Sequence, residues 1–588
     1  MTPRPAIFTV AAGAAHTARR IADLTGGDLM DGDPRHFLPR LFAESRPIIG
    51  VCAAGILIRL LAPHLGDKQV EPPVLAVSSD GASIVPLLGG HHGANRLARE
   101  LAAALGGHAA LTTASDVRFT RGLDEPPAGW RLADPAAAKP AMAALLGGAA
   151  IRLSGTATWL AEAGYPISPA GAVAVTVTER AAPAGSGLVY HPAVLIAGIG
   201  CERGTEPAEV IALLTDTLHA EGLAPQSLTA IASVDLKADE PALHAAAAHF
   251  DVPLRLFTVA ELDAERQRLA NPSSVVEAEI GTPGVAEAAA LKAGTLLIPK
   301  RKSRRATCAI GIAPTPLDPL ALGRAPGILH VVGIGPGDAA SRTADAVRAL
   351  DASGDWVGYG LYLDLVADLA TGQQQHRFGL GDEETRVRHA LELAGEGRAV
   401  ALVCSGDAQI YAMASLVYEL LAAEGSRALT PAARRVAVAS HPGISALQAA
   451  SSVAGALLGH DFCAISLSDL LTPRADILRR LAAAATGDFV TALYNPRSQR
   501  RTDLIEVARQ QFLAHRPADC PVIVASSLGR PEQRVRVVRL DAFDPEEVDM
   551  LTIVLIGAST SRAFTRGDGR TVAFTPRGYE KKSTEAAP

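Results

Sequence analysis

Three glycine-bearing segments in the second half of the chain carry residue types that can hold a small molecule against main chain. The run Leu329-His-Val-Val-Gly-Ile-Gly-Pro-Gly-Asp338 reads as a buried strand feeding a glycine-rich turn, with a helix expected from about Thr343. Val400-Ala-Leu-Val-Cys-Ser-Gly-Asp407 is a second apolar strand ending in a carboxylate, followed by Ala408-Gln-Ile-Tyr-Ala-Met413. Ser440-His-Pro-Gly-Ile-Ser-Ala446 puts a Pro-Gly turn and a serine in cap position ahead of a helix. Glycine allows close backbone approach and conformations closed to other residues. The spacing is not G-x-G-x-x-G and no Lys-Ser/Thr follows, which counts against dinucleotide and P-loop readings. A turn that binds nothing explains any one of these segments equally well.

The first half has no metal-ligand spacing, no G-x-S-x-G elbow and no P-loop. Its densest polar turn is Leu87-Leu-Gly-Gly-His-His-Gly-Ala-Asn-Arg-Leu-Ala98, opening a helix whose N-terminus favours an anion. Adjacent His91 and His92 diverge on any regular element, which argues against a shared metal. Ala197–Thr205, Ser233–Glu240, Gly284–Ala290 and Pro299–Ser303 each put glycines or charges at the end of a strand or the start of a helix, where α/β sheets build their sites. The basic run Lys300-Arg301-Lys302 reads more readily as a solvated turn than as a carboxylate clamp.

The elements that position these groups follow one pattern. Short Val/Ile-rich runs alternate with Ala/Leu/Arg/Glu stretches of helical period, as in Pro47–Cys52 before Ala53–Leu65 and Val194–Ile199 before Glu206–His219. That alternation predicts a multidomain α/β protein, and 588 residues exceed a single core. Breaks rich in Pro, Ala and Gly fall near residues 126–140 and 181–192, and most clearly at 313–327, where four prolines disfavour regular structure. The expected division is 1–125, 126–192, 193–312, a linker 313–327, a two-lobed domain 328–567 split near 435, and a frayed tail 568–588. A net charge of −6 argues against a nucleic-acid partner. Six scattered cysteines with no C-x-x-C pair suit a reducing cytoplasm, with neither a disulfide framework nor a zinc site. The apolar stretch Ala6–Ala15 reads as strand and turn rather than a leader, and no apolar run is long enough to span a bilayer.

From Ile328 to about Phe564 the chain resembles the tetrapyrrole methyltransferases, and within them those acting at C-17 of precorrin-3B or its cobalt counterpart. Trp356-Val-Gly-Tyr-Gly-Leu-Tyr362, Gly459–Pro473, Ala492-Leu-Tyr-Asn-Pro-Arg-Ser498 and Thr575-Pro-Arg-Gly-Tyr579 carry the likeness. It implies two α/β lobes, with S-adenosylmethionine held between them by Gly335, Pro336, Asp407, Ile410, Met413, Ser445, Ala446, Ala492, Leu493 and Tyr494. Gln409 departs from the family, where glycine is more usual. The implied reaction is methylation with contraction of the macrocycle, for which His460, Asp461 and Asp469 are the acid/base candidates; His460 and Asp461 equally fit a helix brace. Arg497 and Arg577 are candidates for substrate carboxylates, or are simply exposed. A homodimer through this domain is also implied.

Over roughly Ile48 to Ala313 the chain resembles cobalt-precorrin-5A hydrolase, on Ala53–Pro63, the Gly-Gly-His-His-Gly-Ala-Asn turn, Ile199–Thr205, Asp235–Glu240 and Pro299–Ser303. The implied reaction opens a lactone and releases acetaldehyde, with His91, Asp235, Lys237 or Glu287 activating water. Two readings stand: a bifunctional hydrolase and methyltransferase, or a methyltransferase carrying a non-catalytic corrinoid-binding module.

Overall fold

The computed structural model describes residues 4–66, 70–112, 118–183, 185–498 and 501–579, without the side chain of His91. It is a multidomain α/β structure with several mixed sheets. Two compact units emerge: Met1–Ser233, Ala242–Pro253 and Ala260–Leu322 form the first, and Val234–Pro241, Leu254–Val259 and Gly323–Pro588 the second.

The first unit opens with a six-stranded sheet in the order Asp28–Leu29, Ala6–Thr9, Ile48–Val51, Val74–Val77, Ser83–Leu88, His108–Ala109. All neighbours are parallel except Val74–Val77 with Ser83–Leu88. Ile7, Ile49 and Leu75 face helices Ala15–Thr25 and Ala94–Leu105, while Ala6, Phe8 and Ile48 face Pro34–Ala43 and Ala54–Leu61. Burial on both faces is why these strands read as unbroken apolar runs. A four-stranded sheet follows, with Trp159 set edge-on to Tyr190 in its core. In a third sheet Leu195–Cys201 pairs with Leu228–Val234 and Ala306–Ile312. Helix Val285–Ala290 lies so close to it that a Cβ on Gly198 would stand 1.9 Å from Ala286 O, and one on Gly311 1.8 Å from Ala290 O.

The second unit has two lobes. The first lobe's sheet is wholly parallel, in the order Gln374–Phe378, Asp355–Tyr359, Ala399–Cys404, Ile328–Gly333, Ala437–His441. The second lobe's sheet runs Phe462–Ser466, Val490–Tyr494, Thr552–Ile556, Pro521–Ser526, Arg534–Arg539, and only its first pair is parallel. Each sheet carries apolar clusters on both faces.

The segment 313–327 holds one 3-10 turn, Pro319–Ala321, and no α-helix or strand. The frayed tail expected from 568 is corrected at its start. Thr571–Phe574 is a strand paired antiparallel with Arg562–Thr565, because Ala573 is buried in the second lobe's core. Residues 580–588 lie outside the described residues. Among the described residues no helix is long and apolar enough to cross a membrane.

Candidate functional site

In a parallel sheet, ligand-facing loops gather at the carboxyl ends of the strands. Strands Ile328–Gly333, Ala399–Cys404 and Ala437–His441 are neighbours, and each runs into one of the three glycine segments. These segments are stitched together by main chain. Gly335 N–H donates to Gly406 O at 3.1 Å, and Gly406 N–H returns a bond to Gly335 O at 2.8 Å. A Cβ on Gly333 would lie 2.7 Å from both Gly406 O and Gly443 N, and one on Gly443 only 2.2 Å from Gly406 O. Gly335 and Gly406 hold φ of 78° and 68°, in the left-handed region that glycine enters freely.

The Asp407 carboxylate fastens this arrangement. Oδ1 accepts from Gln409 N–H at 2.8 Å and Oδ2 from Gly443 N–H at 3.2 Å. The role requires the main chain of residue 409 rather than a particular side chain, so the exposed glutamine fits without strain. The left-handed residue is instead Tyr411, at φ 52°. Its hydroxyl donates to Ala464 O of the second lobe at 2.9 Å, and its ring centroid lies 5.1 Å from that of Tyr494. Such strain persists where the surroundings over-determine the residue, and it gathers at functional sites. Tyr494 hydroxyl accepts from Leu447 N–H at 3.2 Å. Ser445 caps helix Ala446–Ala454 reciprocally with Gln448. Burial pushes both tyrosine hydroxyls above their ordinary pKa.

The proposed donor residues therefore fall into three groups. Gly335, Pro336, Asp407, Ile410 and Met413 lie on the first lobe's loops, and Ser445, Ala446 and Tyr494 face them. Ala492 and Leu493 are fully buried sheet residues whose side chains point to opposite faces of the second lobe's sheet. Behind the loops His330 Nδ1 meets His441 Nε2 at 3.0 Å, and His441 Nδ1 meets Asp345 Oδ2 at 2.7 Å. This chain braces the strand that leads to Gly443. Spacing of 15 and 96 residues along the chain hid it from the sequence.

The acid/base candidates flank strand Phe462–Ser466 of the second lobe, His460 and Asp461 before it and Asp469 after it. His460 and Asp461 have side chains 57% and 81% exposed, 3.5 Å apart, bordering with Arg577 an open depression of about 480 Å³. Asp469 pairs with Arg501 at 3.6 Å. Arg497 is engaged by Pro545 O at 2.9 Å and Glu546 Oε2 at 2.7 Å.

Of the water-activating candidates, the His91 side chain lies outside the described residues. Asp235 is ion-paired with Arg324, and the buried Lys237 lies 3.7 Å from Glu240. Both fall in the second unit, whereas Glu287 falls in the first. Glu287 is 1% exposed: Oε1 accepts from Asn271 Nδ2 at 2.8 Å and Lys300 N–H at 2.9 Å, and Oε2 from Asn271 N–H at 2.9 Å.

Comparison with known proteins covers both halves. A family model described as Tetrapyrrole (Corrin/Porphyrin) Methylases matches residues 329–544. Models described as Cobalamin synthesis G N-terminal and Cobalamin synthesis G C-terminus match residues 36–116 and 195–311. The chain is 42% identical over 252 residues to a probable cobalt-factor III C(17)-methyltransferase of Salmonella typhimurium, covering 43% of this chain and 99% of that relative. It is 38% identical over 253 residues to a precorrin-3B C(17)-methyltransferase of a Sinorhizobium species, covering 43% and 97%. A crystal structure of the methyltransferase CobJ matches at 38% identity with a TM-score of 0.39, over 42% of this chain and all of that one. The chain spans about half the length of the first curated relatives it matches.

Proposed function

The chain belongs to the tetrapyrrole methylases, and from that premise we propose that its C-terminal half methylates C-17 of precorrin-3B or cobalt-factor III, with ring contraction, using S-adenosylmethionine. The observation that carries this reading is the glycine knot fastened by Asp407. What supports the donor here is room at the main chain: a Cβ built on Gly406 would meet only Ala446 N and Ser445 Cα, each at the ordinary contact distance of 3.9 Å. When bound there, the donor supplies an electrophilic methyl group on a sulfonium. The protein's share is alignment, since an in-line displacement is governed by how well the reacting atoms are held. Gly335 and Gly406 give the close approach, Asp407 fixes the loops, and Tyr411 ties the first lobe to the second across the cleft. We further propose that the N-terminal half opens the lactone of cobalt-precorrin-5A, and that the protein works in the cytoplasm as a homodimer. Fusion would then raise the local concentration of an unstable intermediate.

Calorimetric titration with S-adenosylmethionine tests the main reading. Wild type is expected to bind, and Asp407→Ala to weaken binding by about 10- to 100-fold, as two charge-assisted hydrogen bonds are lost. Unchanged affinity in the variant would remove Asp407 from the site, and no binding by folded wild type would remove the donor.

Tyr411→Gly gives a second check. Relief of the left-handed backbone is worth about 1 kcal/mol, which opposes the loss of the tie to Ala464. The melting temperature should therefore move little while KM for the donor rises about tenfold, the loss of one well-placed contact. An unchanged KM would mean that the tie is only structural.

One observation favours the second reading of the N-terminal half, a corrinoid-binding module without turnover. Both carboxylate oxygens of Glu287 are taken up by protein donors rather than held ready for water.

A further inference from the structure

We propose that His441 is a positioning residue of the donor site, which holds the third glycine loop in place only while the His330–His441 pair is not doubly protonated. The inference rests on the methyltransferase reading and adds a pH limit to it. His441 ends strand Ala437–His441, and His330 lies in the neighbouring strand Ile328–Gly333. The start of helix Ala344–Ala352 grips the loop twice. Asp345 Oδ2 accepts from His441 Nδ1 at 2.7 Å, and the cap residue Thr343 donates through Oγ1 to Pro442 O at 3.2 Å. The next residue, Gly443, gives its N–H to Asp407 Oδ2. Three consecutive residues, His441 to Gly443, therefore run from one helix end to the carboxylate that fastens the knot.

Hydrogen-bond chemistry fixes where the protons sit. An ionised carboxylate only accepts, so His441 Nδ1 carries its hydrogen toward Asp345. The 3.0 Å contact between His330 Nδ1 and His441 Nε2 then needs one hydrogen between the two nitrogens. Neutral imidazoles supply it from His330 Nδ1, with His441 Nε2 as the acceptor. One added proton is accommodated on His441, whose two N–H groups then face Asp345 and His330. A second sets two N–H groups and two like charges against each other, and the rings must part. The charged groups next to the pair are Asp345 and, bonded to it at 3.1 Å, Arg348. The flanking strand Ala399–Cys404 presents Ala401 and Val403 on this face. Burial and the charge of His441 lower the pKa of His330, and Asp345 offsets them only in part. The second proton therefore enters below the ordinary histidine value of about 6.5. The same sheet holds another Asp–His–His chain, with His376 Nε2 on Asp355 Oδ1 at 2.9 Å and His389 Nε2 on His376 Nδ1 at 3.0 Å. Its strands, Asp355–Tyr359 and Gln374–Phe378, lead into none of the three glycine segments, which makes it an internal control.

Calorimetric titration of the full chain with S-adenosylhomocysteine between about pH 8 and pH 5 tests this across the histidine range. Wild-type affinity is expected to hold above about pH 6.5 and to fall about tenfold by the acid end, as one aligning hydrogen bond is lost. His330→Leu lets His441 take its proton without a clash, so this variant should bind alike at both ends of the range. His441→Leu should bind about tenfold more weakly throughout, without the acid fall. His376→Leu should keep the wild-type profile, although its chain has the same chemistry. A flat wild-type profile would overturn the proposal without any variant, and so would an acid fall that persists in His330→Leu. Affinity of folded His441→Leu equal to that of folded His376→Leu would reduce His441 to scaffold. Wild type that binds nothing at the alkaline end would instead sink the methyltransferase reading itself.

Discussion

Gly443→Ala is expected to abolish donor binding. The new Cβ would stand 2.2 Å from Gly406 O and 2.6 Å from Gly333 C. Both neighbours are main chain at the ends of central strands, so no side-chain rotation relieves the overlap. The loops must part, which costs about 1–3 kcal/mol or more in stability. Parting them also draws Gly443 N–H away from Asp407 Oδ2, the bond that holds the third loop to the second. Misplacement of this size costs about a hundredfold where alignment governs the chemistry, so S-adenosylmethionine affinity should fall at least that far. Gly354→Ala is the control: it has nothing within 4 Å and should stay within about 0.5 kcal/mol of wild type. Donor affinity of Gly443→Ala equal to that of Gly354→Ala would mean that the glycine knot is scaffold and not site.

The sequence made this knot legible in parts and not as a whole. Strand ends show in composition: Val400–Cys404 is apolar throughout because both of its faces are covered, and it is followed at once by Ser-Gly-Asp. The helix expected from about Thr343 begins at Ala344 with Thr343 as its cap, and the serine in cap position at 445 caps Ala446–Ala454. Such signals are local, so a single chain suffices to read them. The partner of Asp407, by contrast, is a backbone N–H 36 residues away, set by strand order rather than by any motif. Tyr411 gave no signal, because a left-handed tyrosine is held there by Ala464 and Tyr494 against its own preference. The same limit holds for the arginines. Arg497 sits in a conspicuous Tyr-Asn-Pro-Arg run, yet Pro545 O and Glu546, 48 and 49 residues further on, engage it. Proximity in the folded chain, not residue type, decides which guanidinium remains available.

Glu287→Gln is expected to loosen the first unit by about 3 kcal/mol, the sum of weakened hydrogen bonds to an ionised acceptor. Burial alone would raise the carboxyl's pKa. The Asn271 side chain and the N–H groups of Lys300, Asn271 and Ala270 outweigh it and hold the group below its ordinary range. The sign follows: a depressed folded pKa gives stability that is complete above the unfolded value of about 4.3. That stability is lost as pH falls through the lower folded value. The amide of the variant turns a donor toward groups that are themselves donors, and this mismatch does not depend on pH. Amide exchange in helix Val285–Ala290 should therefore be faster in the variant at neutral pH, with the gap closing only as pH falls below the unfolded carboxyl's range and through the lower folded value. A general base behaves differently: its amide variant would keep the helix protected at neutral pH and lose only lactone opening. Wild-type protection in Glu287→Gln together with lost turnover would return Glu287 to the catalytic candidates. Lost protection would identify it as the pin that joins Asn271 and Lys300 to the helix, leaving water activation in this half to another group.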